Sequence, residues 1–220
     1  MPILPSTLEY SITNFQKKID LIINGLDRYL ELSHQEVLEL HVDLVYPFFA
    51  RENSVMSSIS LIDNLRIIYD MVEKLQQKCF LTIHFMGLLD DVILFNRHLE
   101  KIKKHKLINM ELYIPLNLNQ KMFINSLDLP IYYWYDIDQY SKINTKDQSK
   151  KLLMTVKAGK SGQVIKEESY NKTLKIIEDC GVSNIIIDGG LKIKDYLKYL
   201  SDNKQDLRMV SYSSFWNNFL

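Results

Sequence analysis

Two ionisable residues stand two apart in an otherwise apolar run, LELHVDLVY (38–46): His41 and Asp43. In a β-strand, residues i and i+2 point to the same side, so the pair projects together. Burying both without a partner is costly. A second histidine, His84, lies in the run TIHFM (82–86), and Asp188 stands before Gly189 and Gly190 in IIIDGG (185–190). Two imidazoles and two carboxylates suit one divalent cation such as Zn²⁺, Fe²⁺, Mn²⁺ or Co²⁺. Any one of them alone reads better as a satisfied core polar group or a solvent-exposed loop residue. Four at strand ends on one face favour a metal site. His34, His98 and His105 fall in helical or loop segments and are expected at the surface.

The elements that must position these residues alternate. Short apolar runs predict strands at 2–6, 37–43, 79–85, 108–114, 130–136, 152–156, 184–188 and 206–211. Helix-like segments lie between them, at 12–32, 57–77, 88–105, 118–127, weakly at 138–149, then 167–181 and 191–202, with a short last one near Ser213. In 57–77, Ile59, Ile62, Leu65, Ile68, Met71, Val72 and Leu75 recur at helical spacing. Eight strand–helix alternations predict an α/β fold, a (β/α)8 TIM barrel forming a single domain over 1–220. The absence of a Gly-rich turn after the first strand disfavours an open dinucleotide-binding sheet. Active sites of such barrels lie at the C-terminal strand ends, where His41, Asp43, His84 and Asp188 converge.

The chain has 46% apolar and 25% charged residues, with 27 Lys+Arg against 27 Asp+Glu. That balance gives no reason to expect nucleic acid or an anionic membrane as a partner. No stretch is long and apolar enough for a span, and MPILPSTLEYS lacks the pattern of a secretory signal. Cys79 and Cys180 read as isolated thiols rather than a disulfide framework. A cytoplasmic location is expected.

Five segments resemble, in chain order, the ribulose-phosphate 3-epimerase family: ILPSTL (3–8), LHVDLV (40–45), IHFM (83–86), MTVKAGKSGQ (154–163) and IDGGL (187–191). The last two are the most specific, and the likeness fades over 88–150 and after 200. It implies a (β/α)8 barrel that inverts the carbon beside the ketone of a ketose phosphate. Such inversion takes a proton from one face and returns one to the other, with the enediolate charge held between. The resemblance assigns those transfers to Asp43 and Asp188, and one divalent metal to His41, Asp43, His84 and Asp188. It sets Ser6, Met86 and Met154 against the substrate. It makes AGKSGQ, with Gly159 and Gly162, a lid, and places phosphate near Gly189, Gly190 and Ser213. A homo-oligomer is the expected assembly. The fragment GKS is not a P-loop, because Met154 stands where that motif needs its first glycine.

The sequence departs from the family at four places. Leu44 to Phe49 replace a compact polar turn, with Val45 for a shielding methionine. Ala158 and Lys160–Ser161 alter the lid. VSYSSFW lacks the phosphate-binding glycine, leaving Ser213 or Ser214 to serve. The run YYWY (132–135) crowds the pocket. The expectation is a metal-dependent 3-epimerase, by default converting D-ribulose 5-phosphate to D-xylulose 5-phosphate. The alternatives are a hexulose-phosphate epimerase and a non-catalytic barrel that binds metal or a sugar phosphate.

Overall fold

A computed structural model describes residues 3–5, 37–58, 79–103, 109–123, 129–160, 162–190 and 208–211, with scattered helical positions between 13 and 24. Its strands are β1 (Ile3–Pro5), β2 (Leu38–Val45), β3 (Cys79–Met86), β4 (Asn109–Pro115), β5 (Ile131–Tyr135), β6 (Lys151–Met154), β7 (Ile185–Asp188) and β8 (Arg208–Ser211). The α-helices are α1 (Pro47–Glu52), α2 (Leu89–Lys103) and α3 (Glu167–Cys180). From β2 to β7, each strand lies parallel to its sequence neighbour in one curled sheet. β8 joins β7 through Ile186↔Arg208 and Ile187↔Met209, and β1 joins β8. The protein is thus α/β, with a curled parallel sheet.

Runs such as LLM in β6 and III in β7 are apolar on both faces because both faces are covered. On the convex side, Leu153, Ile185 and Ile187 pack against Tyr170, Ile177 and Cys180 of α3. Those helix residues, with Thr173, recur every three or four positions, so one stripe of α3 faces the sheet. Ile177 and Ile187 are fully buried, which stabilises the layer by about 1.5–3 kcal/mol each. The opposite parity of each strand lines the concave face: His41, Asp43 and Val45 on β2, and Thr82, His84 and Met86 on β3.

α1 went unread in the sequence. Pro47 at its first position suits a helix start. Tyr46, its N-cap, offers no side-chain hydrogen bond. The cap comes from α2 instead: the Asp91 carboxylate accepts the backbone N–H groups of Phe48 (3.1 Å), Phe49 (3.1 Å) and Leu88 (3.0 Å). Asp91 is 1% exposed and ties together the segments that follow β2 and β3. Asp91→Ala leaves these donors without their acceptor and is expected to destabilise the fold by about 3 kcal/mol. A calorimetric scan should show Tm lower by roughly 6–12 °C.

Other expectations need correction. His98 is not a surface residue. It is 2% exposed on α2, and its Nδ1 lies 3.0 Å from the Tyr46 hydroxyl. In the expected helix 118–127, the described residues form only a 3-10 turn, Gln120–Met122, where the Asn119 side chain accepts the Lys121 N–H. Over 138–149 the chain makes a 3-10 turn, Ile137–Lys142. It then breaks where Asn144 and Asp147 side chains capture the N–H groups of Lys146 and Ser149. Cys180 is a free, buried thiol, as expected. The helix expected at 57–77 lies almost wholly outside the described residues, and that at 191–202 lies entirely outside them, as do Ser6, His34, His105, Ser213 and Ser214. Among the described residues, no helix is long and apolar enough to cross a membrane.

Candidate metal centre

β2, β3 and β7 bring His41, Asp43, His84 and Asp188 together. Asp43 lies in register with His84 on the next strand, and Asp188 ends β7 beside Met154 of β6. One candidate ligand atom from each residue lies within 4.8 Å of all the others. Nitrogen and oxygen alternate around the group. His41 Nε2 is 3.2 Å from Asp43 Oδ1 and 3.5 Å from Asp188 Oδ2. His84 Nδ1 is 3.1 Å and 3.2 Å from the same two oxygens. Each aspartate thus meets both imidazoles through a single oxygen.

These separations fit a cation. The corners of a ring with sides of 3.1–3.5 Å lie about 2.2–2.5 Å from its centre, close to the ~2.0–2.2 Å bonds of a first-row divalent ion. The charges fit as well. Both histidines are 0% exposed, and Asp43 and Asp188 are 6% and 7% exposed. Burial alone would lower the His41 pKa, but the Asp43 and Asp188 carboxylates push it up to about 10. His84 is raised for the same reason, again against burial. Asp43 lies below the usual carboxylate range because both imidazoles outweigh burial. Asp188 is also lowered: hydrogen bonds from His41 and His84 overcome burial and the Asp43 charge. The shifts run in the direction that pairs protonated imidazoles with ionised carboxylates, and one divalent cation with neutral imidazoles would bring the same charge as two imidazolium protons.

No protein-family model matches this chain, and no curated protein matches it.

An apolar roof covers the group. Val45, Met86 and Met154 belong to one buried cluster with Phe49, Trp134 and Ala158. The Trp134 ring stands edge-on to His84 at 5.2 Å between centroids, and its Nε1–H donates to the Phe85 carbonyl (3.0 Å). Met86 and Met154, expected against the substrate, thus sit beside the ligands within packed side chains. Gly159 is buried against Val55, Phe49 and Val45, while Lys160 and Gly162 are exposed. Gly189 and Gly190 take φ of 92° and 68°. A Cβ on Gly189 would strike Val156, and one on Gly190 would come within 2.6 Å of the Ile165 N. The tight approach of Val156 and Ile165 accounts for these glycines.

Sequence reasoning missed Asp136. It follows β5 as Asp188 closes β7, so the same signal was available. Burial, with Asp138 beside it, pushes its carboxyl up to about 6, although the Ala158 N–H donates to it and His84 and Lys157 oppose the rise. A raised carboxyl favours the fold below its ordinary 3.8, and that contribution is lost as pH rises through about 6. Allowing for its partial exposure, the ionised group costs on the order of 1–2 kcal/mol at pH 7.5. Asp136→Asn is expected to raise Tm by roughly 2–8 °C at pH 7.5 and to leave it unchanged near pH 3.5. Thermal melts at the two pH values check this.

Proposed function

We propose that the chain is a metal-dependent epimerase acting beside the ketone of a ketose phosphate, with D-ribulose 5-phosphate as the default substrate. The observation that carries the reading is the buried ring of His41, Asp43, His84 and Asp188, the same four residues the family resemblance assigns to a metal. A closed (β/α)8 barrel is part of the proposal. It is supported by the β1–β8 pairing and by the approach of β1 to β2, the two edges that closure would join.

A divalent cation held by these four residues would supply Lewis-acid polarisation of the substrate's carbonyl oxygen. The rest falls to the chain. Asp43 and Asp188 supply the two oxygens at opposite corners of the ring. One carboxylate takes the C3 proton and the other returns a proton to the opposite face, each worth roughly 10²–10⁴-fold. Met86 and Met154 keep water from the reacting carbon. The substrate reaches the aspartates once the segments bearing Phe49 and Ala158 move aside.

In D₂O, the metal-replete protein is expected to place deuterium at C3 and form the epimer with at least one of a panel of pentulose and hexulose phosphates. No exchange across the panel would end the epimerase reading. The apolar roof favours a second reading, a barrel that binds metal without turnover. One ion per chain together with no exchange would select it. A homo-oligomer and a cytoplasmic location remain expectations drawn from the sequence.

A further inference from the structure

Of the four residues in the centre, Asp188 alone ends its strand. Asp43 lies inside β2, with Val42↔Ile83 and Leu44↔Phe85 paired on either side of it. His84 lies inside β3, between β2 and β4. The pairing of β7 with β8 stops one residue before Asp188, at Ile187↔Met209, whereas its pairing with β6 runs through Met154↔Asp188. Past Asp188 the chain turns at once through Gly189 and Gly190, both at positive φ. The β6 side is therefore where its backbone is held.

One residue supplies most of that hold. Thr155 follows Met154, and its N–H donates to the Asp188 carbonyl at 2.8 Å. Its hydroxyl donates to the same carbonyl at 3.2 Å and to the Gly189 carbonyl. The Ile165 N–H adds a bond to the Gly190 carbonyl at 3.3 Å. Thr155 is 2% exposed, so water hardly competes for these bonds. The hold matters because the carboxylate has no other guide: among the described residues, its hydrogen bonds come from the two imidazoles. Groups that act together on a ligand must stay within about 0.5 Å of their working places.

We propose that Thr155 is a positioning residue of the centre. Through the carbonyls of Asp188 and Gly189 it sets the Asp188 carboxylate against His41 and His84. Thr155→Val keeps the shape and the N–H bond but removes the hydroxyl, so both carbonyls lose a donor and the turn shifts. That an ion binds there rests on the proposed function; the placement of Asp188 by Thr155 does not.

Titration of the metal-free chain with Zn²⁺ and with Co²⁺ tests the consequence for the ion. Thr155→Val is expected to bind about 10–100-fold more weakly, the usual loss when a group that orients a metal ligand is removed. It should also shift the visible bands of bound Co²⁺. Thr155→Ser restores the hydroxyl and should recover both. Ile177→Val trims a buried methyl group on α3; it should lower Tm and leave affinity and bands unchanged. In the metal-free chain, the imidazole ¹⁵N resonances of His41 and His84 should move in Thr155→Val and stay in place in Thr155→Ser and Ile177→Val. Unmoved resonances in Thr155→Val, or equal changes in Ile177→Val, would overturn the proposal. A wild-type chain that binds no ion would end the metal reading alone, and the metal-free resonances would still decide whether Thr155 places Asp188.

Discussion

Asp43→Asn and Asp188→Asn are each expected to lower turnover of the ketose phosphate by at least roughly 10³–10⁴-fold while the chain stays folded. On the proposed function, each change removes a proton-transferring carboxylate, worth about 10²–10⁴-fold by itself, and an anionic ligand of the proposed cation. Asparagine keeps the shape of the side chain, so the packing around the ring persists. The imidazoles report the same change. His41 owes its raised pKa to Asp43 and Asp188, so losing either charge should bring it down, and histidine NMR titration of the metal-free variants will show this. Steady-state rates with a melting curve for each variant separate chemistry from stability. Turnover retained in either variant removes that aspartate from its role.

Metal removal should have the second large effect. A cation that binds the folded chain alone, at about 1,000 times its Kd, adds roughly 4 kcal/mol. For 220 residues, chelation should therefore lower Tm by roughly 8–16 °C. The size of the drop depends on pH in a stated direction. Without metal, His41 contributes ion-pair stability that is complete below 6.5 and lost as pH rises to about 10. Asp43 and Asp188, held below 3.8, contribute stability that is lost as pH falls into the acid range. The metal-free chain should be most stable between about pH 4 and 6.5. Cation binding must displace the imidazolium protons, so the metal-derived gain should grow from pH 6.5 toward 10. Scans with and without chelator at several pH values test this. A gain that shrinks as pH rises would contradict the ligand assignment.

The strands were legible because β-branched, doubly apolar runs such as Ile185–Ile187 have few other ways to be buried. The pairing of His41 with Asp43 was legible from the two-residue period of β2, and the register Asp43↔His84 closes the group on the next strand. The roof was harder to read. Phe49 and Ala158 are ordinary apolar residues whose meeting depends on α1, and α1 is capped by Asp91, 39 positions beyond Glu52. No local signal marks such a cap. His98 was misread for a similar reason, since its partner Tyr46 is 52 residues away. The turns at 120–122 and 137–142 were taken for helices because apolar spacing outweighed the side-chain capture of backbone N–H groups by Asn119, Asn144 and Asp147.

The most direct measurement is metal content after dialysis against Zn²⁺, Mn²⁺, Fe²⁺ or Co²⁺, for the wild-type chain and for His84→Ala. The account predicts one tightly held ion per chain in the wild type with at least one of these metals, and none retained once His84 is gone. A wild-type chain that keeps no ion from any of the four, or a His84→Ala chain that keeps a full one, would contradict it.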